Sequence, residues 1–253
     1  MLTNKKNRFV ALLALLACCV SSMVWAAEEE VQGERANNDV SNVASLQRGA
    51  RNFVNYCYGC HSAQYVRYNR VGTDLGLSDA EVTKYLMFTG ERPSDEMRNA
   101  MPAADAQRWF GRTPPDLSLI ARSKGPDYIY NFLKSFYLDP SRPTGTNNRM
   151  LPGAAMPDVL WELQGLQKAV YEGVTDSEGN VQKEFKHFEP ATKGTMSPEQ
   201  FDQFVRDTVN FLDYIGEPMQ LERQRLGIGV MFFLLVFFGF AYFLKKEYWK
   251  DVK

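Results

Sequence analysis

Cysteine and histidine are scarce in this chain. Its 253 residues hold four cysteines and two histidines, His61 and His187. Cys18 and Cys19 are neighbours in an N-terminal apolar run, so only Cys57 and Cys60 lie in the body of the sequence. That leaves no further pair for a structural disulfide and too few thiols for a zinc site of about four ligands. An excess of one charge is missing too. The formal net charge is -1, so no strong overall field draws the chain to nucleic acid. Long apolar runs are confined to the two ends, at residues 9–20 and 226–244.

The two body cysteines belong to Cys57-Tyr58-Gly59-Cys60-His61. Two thiols, two spacers and a histidine are the attachment signal for a c-type haem. Each thiol must reach one vinyl group on the same porphyrin edge, and the adjacent histidine then lies under the iron. Gly59 is expected to allow the tight turn between the thiols. A redox CxxC pair is the competing reading, but a thioredoxin-like motif wants a strand before it, and residues 45–56 read as a helix.

Both ends of the chain carry addressing signals. Lys5, Lys6 and Arg8 precede the first apolar run, and Val24-Trp25-Ala26 follows Ser21 and Ser22. This reads as a signal peptide over 1–26, cleaved after Ala26. Leu15-Leu16-Ala17-Cys18 is a looser match to a lipoprotein box. The second run is uncharged and is just long enough to cross a hydrocarbon core of about 30 Å. Lys245, Lys246, Lys250 and Lys253 follow it, and Arg223 and Arg225 precede it. The expected organisation is a periplasmic domain over 27–222, a single transmembrane helix over 223–245 and a cytoplasmic tail over 246–253, in a bacterial inner membrane.

Within the domain, residues 27–44 are polar and aperiodic, expected to wrap the surface or stay partly disordered. Residues 45–56 place Leu46, Phe53 and Val54 on one buried face, with Arg48 and Arg51 outward. Ser78 and Glu81 form a capping box for a short helix. Pro114-Pro115 extends the backbone, and Asp116 or Ser118 is expected to cap the segment that follows. A helix is expected over 128–137, burying Ile129, Phe132, Leu133 and Phe136. Residues 172–189 alternate as a small hairpin does. The clearest helix is 195–216, with Ser197, Pro198 and Gln200 at its start and an apolar stripe from Phe201 to Ile215.

A haem at this motif needs a sixth ligand or an open face, and ligand type sets its potential and reactivity. Met156 is favoured: Gly153, Ala154 and Ala155 allow close backbone approach, and Pro157 stiffens the loop. Met101, which also precedes proline, and Met150 are rivals. His187 would give a bis-histidine haem. With both axial positions filled there is little room for substrate, so an electron carrier without turnover of its own is favoured over a haem enzyme or sensor. Arg67 and Arg70 are candidates to meet haem propionates. Asp74, Glu91, Asp95 and Glu96 are candidates to attract a basic partner.

Taken together, the lead from Ser45 to Gly49 into the haem motif, Tyr68-Asn69-Arg70, Pro114-Pro115-Asp116-Leu117-Ser118, Ala155-Met156-Pro157 and Glu217-Pro218 before the apolar run resemble the cytochrome c1 family of bacterial quinol–cytochrome c oxidoreductases, the bc1 complexes. The resemblance implies a mainly α fold: a c-type cytochrome domain with loop insertions, plus one C-terminal transmembrane helix. It implies one covalently bound haem c, with thioethers at Cys57 and Cys60 and iron ligands His61 and Met156. It implies an arginine ahead of Pro114 on a propionate; Arg108 and Arg112 are the candidates, both offset from the family's spacing. The implied partners are cytochrome b, the Rieske iron–sulfur protein as electron donor and a periplasmic c-type cytochrome as acceptor. A stand-alone membrane-anchored cytochrome c feeding an oxidase or reductase is the alternative.

Overall fold

Helices α1 (Val43–Tyr56) and α8 (Pro198–Gly216) cross at a glycine, and their contact is the centre of the core. A Cβ on Gly49 would stand 2.0 Å from the Asp207 carbonyl oxygen and 2.7 Å from Phe211 Cβ. Only a residue without a side chain lets the two backbones come this close. The structure, a computed structural model, describes residues 33–175 and 181–251. The signal-peptide reading over 1–26 therefore lies outside the described residues.

Capping and periodicity explain both helices. Asn42 accepts a hydrogen bond from Ser45 N at 3.1 Å to start α1. Ser197 and Gln200 exchange side-chain and backbone bonds at the start of α8, with Pro198 in the first turn. Phe53 and Phe211 meet with ring centroids 5.6 Å apart and are fully buried. Each such burial contributes roughly 1.5–3 kcal/mol. Arg48, expected to face outward, instead crosses to α8. Its Nε donates to Asp207 Oδ2 at 2.6 Å, and Ser45 and Gln203 also donate to that buried carboxylate. The paired carboxylate raises the Arg48 pKa, chiefly through that hydrogen bond.

The segment before α1 wraps the surface. Ala36 is fully buried; its N–H donates to Asp127 Oδ1 at 2.7 Å and its carbonyl accepts from Arg206 Nε at 2.9 Å. Shorter helices follow the haem motif: α2 (Tyr68–Leu75), α3 (Asp79–Tyr85) with the expected Ser78–Glu81 box, α4 (Ala103–Phe110), α5 (Ile120–Lys124), α6 (Pro126–Lys134) and α7 (Trp161–Gln164).

Among the described residues, three separate antiparallel two-stranded sheets interrupt them: β1 (Ala63–Arg67) with β2 (Glu96–Met97), β3 (Phe136–Leu138) with β4 (Thr146–Asn148), and β5 (Gln167–Thr175) with β6 (Val181–Pro190). None closes into a barrel, and the domain is predominantly helical. The expected hairpin is β5–β6, longer than the alternation indicated. The expected helix 128–137 ends at Lys134, because Phe136 and Tyr137 pair with Asn148 and Asn147 in β3–β4.

Helix α9 (Gln220–Tyr248) carries the C-terminal apolar run and has no buried residue. Among the described residues it is the one helix long and apolar enough to cross a membrane. Its 29 residues exceed the expected 223–245 at both ends.

Candidate functional site

The pentapeptide leaves the end of α1 as a tight turn. Cys57 N and Tyr58 N both bond back to Phe53 O at 2.9 Å, and Cys60 N and His61 N bond to Cys57 O at 3.0 and 2.9 Å. Tyr58 points away into the protein, where its hydroxyl meets the Tyr68 hydroxyl at 2.5 Å, Thr89 Oγ1 at 2.8 Å and the Arg98 carbonyl at 2.8 Å. Burial raises its pKa. Asn99 donates to the Cys60 carbonyl. Gly59 has open space around a notional Cβ and no left-handed φ, so the turn does not depend on glycine as expected.

Cys57, Cys60 and His61 line one apolar cavity of about 270 Å³, and Met156 lines it too. Leu117, Ile120, Phe132 and Leu133 contribute to its wall. The two thiols are free. Desolvation, aided by its neighbour Cys60, pushes the Cys57 thiol up to about 12, and burial also raises Cys60.

His61 is oriented by a strap that sequence reasoning missed. Its Nδ1 lies 2.7 Å from the Pro115 carbonyl oxygen. A carbonyl can only accept, so Nδ1 carries the proton and Nε2 keeps its lone pair. Burial lowers the His61 pKa, partly opposed by the Pro115 carbonyl and Asp116, which favours the neutral, ligating imidazole. The strap is fixed in turn. Leu117 N donates to Ser62 O at 2.8 Å, Gln64 N to Asp116 Oδ2 at 2.9 Å, and Tyr65 N to Ser118 Oγ at 3.1 Å. Asp116 and Ser118 thus hold β1 rather than capping α5, whose start has no side-chain cap. The Pro114-Pro115 pair was the visible signal, but which strand it would meet was not.

Leu151, Ala154, Ala155, Met156 and Pro157 line the same cavity. Gly153 has φ +80, a conformation that favours glycine. Asp158 is buried, and desolvation raises its carboxyl to about 6 against the Leu160 N–H.

Among the other candidates, Arg112 lines the cavity, as does Lys124, which sequence reasoning did not name. Arg108 does not line it. Its side chain is 71% exposed and bonds Asp105 at 2.9 Å. Arg67 donates to the Ser94 carbonyl and Arg70 to Asp74; neither lines the cavity. Met101 and Met150 are also absent from its lining. His187 sits on β6, 59% exposed, beside Glu189.

The donor set therefore fits a haem c: two thiols, a neutral imidazole and a thioether line one apolar cavity. The chain's likeness to known proteins points the same way. A family model described as "Cytochrome C1 family" matches residues 36–181 and 191–252. The cytochrome c1 of Allochromatium vinosum is 50% identical over 219 residues, covering 87% of this chain and 89% of that one. The ammonia monooxygenase gamma subunit of Nitrosomonas europaea is 42% identical over 245 residues, covering 97% of this chain and 98% of that one. A cytochrome b/c1 of Bradyrhizobium diazoefficiens is 30% identical over 244 residues, covering 82% of this chain and 33% of that longer protein. Family identity implies haem c binding. The chain belongs to the cytochrome c1 family, as an electron-transfer subunit of a respiratory complex with a membrane-anchoring helix.

Proposed function

We propose that the chain accepts one electron from the Rieske iron–sulfur protein of a bc1 complex and passes it to a periplasmic c-type cytochrome. Cys57 and Cys60 form the thioethers, His61 is the proximal ligand and Met156 the distal one. The observation that carries this reading is the meeting of all four side chains at one apolar cavity. Bound haem supplies a one-electron iron couple. The protein's own part is to orient His61 through Pro115, to keep water from the site with an apolar wall, and to present a soft, neutral sulfur that favours reduced iron. Arg112, at the cavity, is the arginine proposed for a propionate; Arg108 is engaged elsewhere.

In the same reading, residues 1–26 are a removed signal peptide, 27–222 lie in the periplasm, 223–245 cross the inner membrane beside cytochrome b, and 246–253 face the cytoplasm. Steering by acidic residues has less support. Asp74 lies 2.6 Å from Arg70, Asp95 3.6 Å from Arg92 and Glu96 2.7 Å from Arg98. These three charges are largely neutralised by their partners, which leaves the exposed Glu91 as the remaining candidate; reduction of the acceptor should slow as salt rises, but shallowly.

Leucine variants test the ligand. Met156→Leu should keep the covalent haem, lose the weak near-infrared absorption of an oxidised His–Met haem and lower its potential. Met101→Leu and Met150→Leu should keep both. A parent-like spectrum in Met156→Leu overturns the assignment. Purification in mild detergent, with partners identified by mass, tests the complex. Recovery without cytochrome b or an iron–sulfur protein would favour the stand-alone cytochrome.

A further inference from the structure

Gly153, three residues before Met156, is held at both of its backbone polar groups by one hairpin. Its N–H donates to Asn147 Oδ1 at 2.8 Å, and its carbonyl accepts from Arg142 Nη2 at 2.8 Å. Asn147 is the middle residue of β4, and Arg142 lies in the β3–β4 turn. That turn is itself braced. Asn147 Nδ2 donates to Asp139 Oδ2 at 2.9 Å, Arg142 N to Asp139 O at 3.1 Å, and Ser141 Oγ to Asp139 Oδ1 at 2.6 Å. The next residue, Asn148, is fully buried. Its Oδ1 accepts from Met150 N at 2.9 Å and Leu151 N at 3.2 Å, and its Nδ2 donates to the Phe132 carbonyl at 2.8 Å. The loop leading to Met156 has no strand or helix of its own over 149–160. Its backbone groups must find partners elsewhere, and this hairpin provides them.

We propose that Asn147 and Arg142 are positioning residues that hold Gly153, and through it the Met156 sulfur, at the distal side of the haem cavity. This rests on Met156 being the distal ligand. A thioether is a neutral ligand on a flexible side chain with three rotatable bonds, so its loop must be kept in place by contacts that do not involve the metal. Gly153 is suited to this. With φ +80 its backbone turns toward the hairpin, and the Arg142 guanidinium packs 3.7 Å from where a Cβ would stand. Only Ala154 and Ala155 separate this fixed point from Met156, and Ala154 N closes a turn on Leu151 O at 3.0 Å. Losing one of the two bonds should make opening of the loop about 5- to 30-fold more frequent.

The test uses the full-length, haem-loaded protein in detergent, oxidised, with imidazole as a probe that competes for the distal position. Asn147→Ala and Arg142→Ala should retain the near-infrared band at rest but bind imidazole about 5- to 30-fold more tightly. Arg142→Lys, which can still donate to the Gly153 carbonyl, should bind it close to the parent. If Met156→Leu loses the band while both alanine variants bind imidazole as the parent does, the ligand stands and the positioning role is overturned. A lower melting temperature with parental imidazole affinity overturns it too, since that is what a merely structural contact would give. If Met156→Leu keeps the band, the ligand assignment itself fails. Should Asn147→Ala not load haem, the more peripheral Arg142→Ala decides by the same criterion.

Discussion

The two sides of the cavity are built by different means. On the His61 side, the ligand follows a four-residue turn that closes a long helix, and backbone bonds plus the 114–118 strap fix it. On the Met156 side, the ligand lies in a loop without helix or strand, and side chains of the hairpin just before it in the chain hold that loop. The first arrangement derives its rigidity from the α1–α8 crossing, where burial and backbone proximity act together. The second relies on a few hydrogen bonds, each worth about 1 kcal/mol net. Damage on the first side should therefore cost fold stability. Damage on the second should cost ligand geometry while the fold survives.

The strongest way to break the contrast is Gly49→Val. The added side chain would collide with the Asp207 carbonyl, which belongs to helix backbone and cannot move aside. The expected cost is about 3 kcal/mol or more, lowering the melting temperature by roughly 6–12 °C for a domain of this size. A melting temperature within a degree or two of the parent would show that the crossing is looser than the structure has it.

Asp116→Ala comes next and addresses the strap. It removes acceptors for Gln64 N and Ser118 N at once, at an expected cost of about 2 kcal/mol. Because the strap also supplies the Pro115 carbonyl to His61, the variant should show a weaker proximal ligand field alongside the lower melting temperature. Asp116→Asn, which keeps one acceptor oxygen, should fall between. Unchanged melting with an altered haem spectrum would place the strap's role in tuning alone.

This ordering follows what could be seen in the sequence. The His61 side was legible because its signals are local: CxxCH spacing, the stripe on α8, the Ser197–Gln200 box. Local signals are set by neighbours within about four residues. The strap was half legible. Its prolines announce an extended segment, but Asp116 and Ser118 are equally suited to capping a helix, since the same side chains serve both uses. Tertiary pairing with β1 decided between the two uses. The end of α6 departs from its sequence pattern for a related reason: Phe136 continues the helical period, yet pairs with Asn148 twelve residues later. Asn147 and Asn148 carry no comparable local signal. Nothing in their immediate surroundings shows that the 149–156 backbone needs their amides.

Gly153→Ala sharpens the distal half of the comparison with a smaller effect. A methyl group has room there, since the nearest atoms belong to Arg142 at 3.7–3.9 Å. The cost comes from φ +80, about 1–2 kcal/mol for a residue with a Cβ. The expected outcome is a modest loss of stability, with tighter imidazole binding as the loop before Met156 relaxes. A parental imidazole affinity would mean that the loop absorbs the strain without moving the sulfur.

The smallest effect is expected at the glycine inside the haem motif itself. Gly59 invites the reading that the turn between the thiols demands glycine. The structure gives two reasons against it: its φ lies outside the left-handed region, and no atom stands within 4 Å of a notional Cβ. The turn is held instead by Cys60 N and His61 N on the Cys57 carbonyl and by Asn99 on Cys60, none of which a methyl at position 59 would touch. Gly59→Ala should therefore load haem normally and melt within about 1 °C of the parent, or slightly above it, since alanine restricts the unfolded chain at no cost to this backbone. Set beside Gly153→Ala, it separates a glycine required by its conformation from one that merely occupies a conspicuous place. Failure of Gly59→Ala to load haem would show that attachment passes through a tighter turn than the folded one, a demand made during maturation and not by the finished site.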